Sequence, residues 1–278
     1  HLPQQNVLNW APSVMFRYMF NKQHVLMFRY RGRSSTPNIE DLQEVIDITD
    51  PMNLRYGNPN LKPSFNNNFT LDYRKFVPES MRSYSANLYY TSTLNSVANR
   101  MTYDPQTGAR VYKKENVNGN WQARGFFSFN TPLKNKKFTI SSNTNARFSD
   151  AVSYTSVGSS KNADQELSTT HNLGLGERFT SSYRSEVFDI SLSGSVNYNL
   201  VRNSKQENSN RETFDYYIGG NTNVNLPWQV SISTDINCRF KDGYTGGLNN
   251  NEVMWNAQIS KSFLKNNAAT LRFKIYDI

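Results

Sequence analysis

The run from Phe188 to Leu200 restricts what this chain can fold into more than any other stretch. Phe188, Ile190, Leu192, Gly194, Val196, Tyr198 and Leu200 share one parity, while Asp189, Ser191, Ser193, Ser195, Asn197 and Asn199 share the other. Successive side chains of an extended chain point to opposite faces, so the run predicts a strand with one apolar and one polar side. Its length matters as much. Strands of soluble proteins usually span about 5 or 6 residues, whereas about 9 to 11 tilted residues cross a bilayer.

The pattern recurs. Trp228, Val230, Ile232, Thr234, Ile236, Cys238 and Phe240 oppose Gln229, Ser231, Ser233, Asp235, Asn237, Arg239 and Lys241, and Phe138, Ile140 and Phe148 oppose Thr139, Asn143 and Arg147. Near the start, Leu26, Phe28 and Tyr30 share one face and Arg29, Arg31 and Arg33 the other. About twelve strands are predicted: 9–20, 24–33, 64–76, 82–98, 112–130, 136–148, 167–183, 188–200, 214–226, 228–241, 253–263 and 269–278. Asp104-Pro105 and Thr107-Gly108 mark a hairpin tip inside a long connection. One strand is irregular, since Glu177 shares the parity of Leu173, Leu175 and Phe179.

Connections alternate short and long through the whole series. Short turns on one side, long loops on the other and antiparallel strands of alternating polarity predict an all-β transmembrane barrel meander rather than a soluble sandwich or propeller, whose strands are shorter. Phe188, Ile190, Leu192, Val196, Tyr198, Val230, Ile232 and Ile236 are then expected to face lipid, and Arg29, Arg31, Arg33, Asp235 and Arg239 the lumen. Trp10, Trp121, Trp228 and Trp255 fall near strand ends, as an interfacial aromatic girdle requires.

Composition sets bounds on this reading. The 278 residues are 37% hydrophobic with a mean hydropathy of -0.70, a value that alternating strands produce because they dilute apolar residues with polar ones. No apolar run approaches the roughly 18 residues of a helical span. The formal charge is +9, yet Lys and Arg are scattered singly, so nucleic acid is not an expected partner. A single cysteine, Cys238, excludes an internal disulfide framework, and its parity places it with Ile236 and Phe240 as a small apolar-face residue.

No catalytic constellation, cofactor motif or metal-ligand spacing is visible, so an enzyme is not expected. His24 and His171 are far apart and read as solvated or lumen-facing. Glu40, Asp41, Glu44, Asp47 and Asp50 crowd one long loop. With Ile39, Leu42, Val45 and Ile46 at helical spacing, they predict a short surface helix rather than a cation site. The arginine ladder on 29, 31 and 33 reads either as an anion path or as ordinary lumen lining.

Parity carries one more expectation. If short turns are periplasmic, the first strand descends from the cell surface and the last ascends to it, whereas barrel ends normally meet on the periplasmic side. Residues 1–278 are therefore expected to be a partial barrel domain with further strands on both sides.

Gly57-Asn58-Pro59-Asn60-Leu61-Lys62-Pro63, entering a strand with Phe65, Phe69, Leu71 and Tyr73, resembles the corresponding barrel loop of TonB-dependent outer-membrane receptors. Together with Tyr30 to Leu42 upstream and Trp255, Lys261-Ser262-Phe263-Leu264 and Tyr276-Asp277-Ile278 downstream, it is similar to the outer-membrane β-barrel family common in Bacteroidota. The resemblance implies the C-terminal part of a barrel of roughly twenty-two strands. It implies a bacterial outer-membrane location amid lipid and lipopolysaccharide. It also implies nutrient uptake energised by TonB through an N-terminal plug region not in this sequence, with a surface lipoprotein as a further partner. A passive or gated pore and a surface binding or adhesion barrel remain the alternatives.

Overall fold

The computed structural model describes residues 9–43, 46–47, 50, 52–104, 106–133, 136–156, 165–245, 251–264 and 268–278. In chain order it contains β1 (Ser13–Asn21), β2 (His24–Ser35), one helical turn α1 (Ile39–Leu42), β3 (Ile46–Asp47), β4 (Asn53–Tyr56), β5 (Ser64–Val77), β6 (Arg82–Leu94), β7 (Ser96–Tyr103) and β8 (Arg110–Val117). There follow β9 (Asn120–Pro132), β10 (Phe138–Ser156), β11 (Gln165–Arg184), β12 (Phe188–Asn203), β13 (Arg211–Leu226), β14 (Val230–Asp242), β15 (Glu252–Phe263) and β16 (Ala269–Ile275).

These strands make two sheets. The large one has twelve strands in the order β1-β2-β5-β6-β9-β10-β11-β12-β13-β14-β15-β16, and the small one four in the order β3-β4-β8-β7. The described pairings of the large sheet are antiparallel throughout, and β4 with β8 is the parallel exception in the small one. Order along the large sheet is order along the chain, as expected of a meander. Its end strands, β1 and β16, do not pair with each other.

Register decides which side chains share a face, because directly opposed residues of an antiparallel pair point the same way. Phe188 opposes Val224, which opposes Ile232, which opposes Ile259. Leu192 reaches Ile236 through Gly220, and Trp255 lies beyond it. In the other direction Tyr198 opposes Leu175, Leu175 opposes Ala146 and Ala146 opposes Gly125, which opposes Leu88. One apolar band therefore crosses all twelve strands.

Burial shows what this band faces. Among the described residues, the buried hydrophobic side chains are Leu42, Leu61, Met101, Ala109 and Val117, all in the small sheet and the segments against it. The large sheet contributes none, and its apolar face stays open: Leu192 is 61% and Ile218 63% exposed. Water does not tolerate an uncovered apolar surface of this extent, so the face requires a nonaqueous solvent.

Aromatic rings border the band at two levels. Toward the short turns lie the pairs Phe20 with His24 at 4.0 Å, Tyr84 with Phe129 at 5.0 Å and Phe138 with Tyr183 at 4.6 Å. Toward the long connections, Tyr30, Phe69, Tyr90 and Trp121 follow one another ring to ring, and Tyr198 meets Phe214 at 4.7 Å. On β12, Phe188 and Tyr198 mark the two levels. Ten residues at about 3.3 Å each, tilted about 40°, rise about 25 Å, the height of an outer-membrane apolar band.

Short connections are closed by specific turn chemistry. The Gln23 amide donates to Asn21 Oδ1 at 2.9 Å, and the Phe188 amide donates to Ser185 Oγ at 3.0 Å. Met81, Lys136, Trp228, Gln229 and Leu264 take positive φ at the others.

Two expectations fail in one place. Strands predicted over 82–98 and 112–130 are each broken, the first at Asn95 with φ 52° and the second at Gly119 with φ 104°. Beyond these breaks β7 and β8 leave the large sheet and pair with each other, and β8 pairs with β4. The apolar parity switches from Leu94 to Val97 across the first break, and Asn118-Gly119 marks the second with a turn dipeptide. The long connection 34–63 is likewise not one loop, since it supplies α1, β3 and β4. The helix expected over Ile39, Leu42, Val45 and Ile46 shrinks to Ile39–Leu42, and Ile46 lies in β3, paired with Tyr56. Glu44, Val45, Pro51, Pro105 and the turn at 265–267 lie outside the described residues.

Candidate functional site

The face opposite the apolar band is the candidate site. Arg29, Arg31 and Arg33 on β2 all lie on it, exposed, opposite Thr70, Asn68 and Asn66 of β5. Among the described residues none of the three has a carboxylate within ion-pair distance. Asp235 and Arg239 lie on the same face of β14, eight places along the strand order from β2, so the two groups are not brought together. Asp235 accepts from Asn237 Nδ2 and Asn256 Nδ2, both at 2.9 Å, and Arg239 reaches Glu252 at 3.9 Å.

Between these groups the wall is built of amides and hydroxyls joined across strands. Thr93 Oγ1 donates to Asn66 Oδ1 at 2.7 Å, Thr91 Oγ1 to Asn68 Oδ1 at 3.0 Å and Ser128 Oγ to Asn143 Oδ1 at 2.9 Å. Such groups hold their own partners yet keep lone pairs and protons for solutes. Cations dominate the ionised groups here, with Arg74, Arg124, Arg147 and Arg178 sharing the parity of the β2 ladder through the cross-strand register.

On the other face, Phe188, Ile190, Leu192, Val196, Tyr198, Val230, Ile232 and Ile236 all belong to the apolar band, as does Cys238 between Ile218 and Val253. Glu177 lies on it too. Its carboxylate accepts from Ser142 Oγ at 2.6 Å and Thr144 Oγ1 at 2.5 Å, so neighbouring strands carry its polarity. Of the two described histidines, His171 is exposed, as a solvated histidine would be, and His24 is not. His24 packs between Phe20 and Tyr73 on the apolar face, and His171 sits at the upper rim against Asp150 at 2.6 Å.

The Gly57–Pro63 motif builds a clasp at the end that carries the long connections. A Cβ at Gly57 would come within 1.9 Å of the Gln43 carbonyl, so only glycine fits there. The Asn58 amide donates to the Asp41 carbonyl at 2.6 Å, and its Nδ2 donates to the Lys114 carbonyl at 2.8 Å. Leu61 is buried, and the Lys62 amide donates to Asn116 Oδ1 at 2.7 Å. Asn116 Nδ2 returns bonds to the Lys62 and Asn95 carbonyls at 3.0 and 2.9 Å. The motif thus ties α1 to β8 and to the break that frees β7.

A cavity of about 590 Å³ opens beside the clasp, where Lys114 pairs with Asp41 at 2.7 Å. The unit is braced on the upper reach of β10, since Tyr154 donates to Glu115 at 2.7 Å and Arg100 pairs with Glu115 at 3.3 Å. At the hairpin tip, the Thr107 hydroxyl and then the Gln106 amide hold the Asp104 carboxyl below the usual range. Among the described residues the acidic loop does not gather. Asp41 is paired, Asp50 caps its own turn through Met52 and Asn53, and no metal-holding group of three exists among the described residues.

A long antiparallel meander with one uncovered apolar face, two aromatic borders and a polar opposite face defines the class of membrane β-barrel proteins. More particularly, the chain belongs to the outer membrane protein beta-barrel family, which it matches over residues 2–184. It is accordingly an outer-membrane protein. No curated protein and no solved structure matches the chain. Strands β12 to β16 lie beyond the family match and continue the same sheet without a change of register.

Proposed function

We propose that the chain forms part of the wall of an outer-membrane transporter of the TonB-dependent kind, taking up a nutrient that enters from the cell surface. The observation that carries this reading is the cation-rich polar face, set directly behind the apolar band and crowned at the long-connection end by the clasped unit. In this arrangement the apolar band faces lipid and lipopolysaccharide, and Arg29, Arg31, Arg33, Asp235 and Arg239 face the lumen. Among the described residues the outer edges of β1 and β16 have no strand beside them, and in lipid each unsatisfied N–H or C=O costs several kcal/mol, so in a closed barrel both edges are paired. A surface lipoprotein fits as a partner at the mouth.

Energised uptake and passive permeation differ in what they need from the inner membrane. Cells dependent on this protein for a labelled nutrient are expected to lose uptake when TonB is deleted or the proton gradient is collapsed. Uptake that persists undiminished under both treatments assigns the protein to passive pores instead.

A further inference from the structure

Two neighbouring rows of the polar face cross β11 to β14. One runs Arg178, Ser195, Tyr217, Arg239, and the next, nearer the long connections, runs Gly176, Asn197, Asp215, Lys241. Strands about 4.8 Å apart put the backbones of Arg178 and Arg239 about 14 Å from one another, with long cationic side chains closing in from both sides. A cavity of about 500 Å³ opens over these rows.

Glycines shape its floor. A Cβ at Gly219 would come within 2.6 Å of Tyr217 Cζ, so the Tyr217 ring lies along the wall over that residue. Tyr217 is pinned there by donating to Asn237 Oδ1 at 2.7 Å, and the Arg178 guanidinium stands 5.4 Å from its ring centroid. A Cβ at Gly176 would likewise strike the side-chain oxygens of Asn145 and Asn197. The floor is therefore preorganised.

Its charges are not balanced. Asp215, which opposes Lys241, is instead engaged by the Tyr244 hydroxyl at 2.9 and 3.0 Å, and Lys241 stands 5.8 Å from the Tyr244 ring. Among the described residues Arg239 has only the distant Glu252. Neither Arg178 nor Lys241 has a carboxylate within ion-pair distance among the described residues. Guanidinium and ammonium groups held about a flat, hydroxyl- and amide-lined floor match oxyanions, with the guanidinium able to bind two oxygens at once.

We infer that this part of the wall binds a small polyanion, bearing carboxylate or phosphate groups, on its way through the barrel. The inference rests on the polar face being lumenal. Binding to purified protein needs no TonB, so its failure is separable from failure of energised uptake.

The test is isothermal titration of the full-length protein in detergent at low salt with citrate, with pyrophosphate and with a neutral trisaccharide. One of the anions is expected to bind, its identity reporting carboxylate or phosphate, and the trisaccharide is not. Arg178→Gln and Lys241→Gln should each weaken that binding at least tenfold, whereas Lys274→Gln, on the same face of β16, should leave it unchanged. Arg178→Lys, which keeps the charge and loses the fork, should fall between wild type and Arg178→Gln. Circular dichroism and heat-modifiable gel mobility identify folded variants. Binding untouched by both charge-removing variants, an equal loss in Lys274→Gln, equal affinity for the trisaccharide or no binding of either anion would overturn the assignment.

Discussion

Glu177 breaks the apolar parity of its strand, and Ser142 and Thr144 answer it from β10. In hydrocarbon no water replaces a lost donor, so Ser142→Ala or Thr144→Ala is expected to cost about 1 to 3 kcal/mol in urea unfolding from lipid vesicles. Glu177→Leu, which removes the carboxylate itself, should cost less than either. An exposed carboxylate in water would give no such ordering. Depth supplies a second residue-scale prediction. Ile236 lies well inside the band, whereas Ile232 is level with Phe188 and the lower rings. Ile236→Arg should therefore cost about 2 to 4 kcal/mol, Ile232→Arg less, and Ser233→Arg on the polar face little. Equal costs for all three in the same vesicle titration would refute the assigned faces.

Elements built by plain alternation were legible from the residues alone. β12 and β14 fall where Phe188 to Leu200 and Trp228 to Lys241 place them, because a period of two leaves no other register, except that Trp228 and Gln229 belong to the turn before β14. The hairpin tip read at Asp104 and Thr107-Gly108 is the turn between β7 and β8, but their departure from the large sheet at Asn95 and Gly119 was not legible, because nothing in the residues says which sheet a strand joins. The site was half legible: parity put Arg239 and Asp235 on one face, but adjacency across strands is set by register, which no single strand displays. Arg178 was hidden by the irregularity at Glu177, and although parity sets Tyr217 with Asp215 and Asn221, it does not show the ring lying over Gly219. The clasp offers a prediction at this scale. Gly57→Ala or Asn58→Ala should release α1 and β8, raising amide exchange in β4, β7 and β8 while β12 to β15 stay protected. The turn at 227–229 offers another. Gln229 holds a positive φ of 62°, a conformation glycine adopts freely, so Gln229→Gly should stabilise the protein by about 1 kcal/mol in thermal or urea unfolding.

At the scale of the whole molecule, two solvents act on one chain. The clasped unit hides Leu42, Leu61, Met101, Ala109 and Val117 from water, and the large sheet spreads its apolar residues outward instead. Increasing urea in vesicles should accordingly strip exchange protection from Met101, Ala109 and Val117 before Val196 and Ile236, because lipid holds only the second set. The order of the large sheet has a consequence for how such a wall is assembled and altered. Every strand pairs with its predecessor and successor in that sheet, so the pairings are local in the chain and each hairpin can close before the next arrives. Inserting or removing one hairpin between a long connection and the following one would widen or narrow the wall by two strands. No other pair would change register, and no side chain would exchange lipid for water. The barrel's girth is in this sense a modular property, open to revision by duplication of a single hairpin.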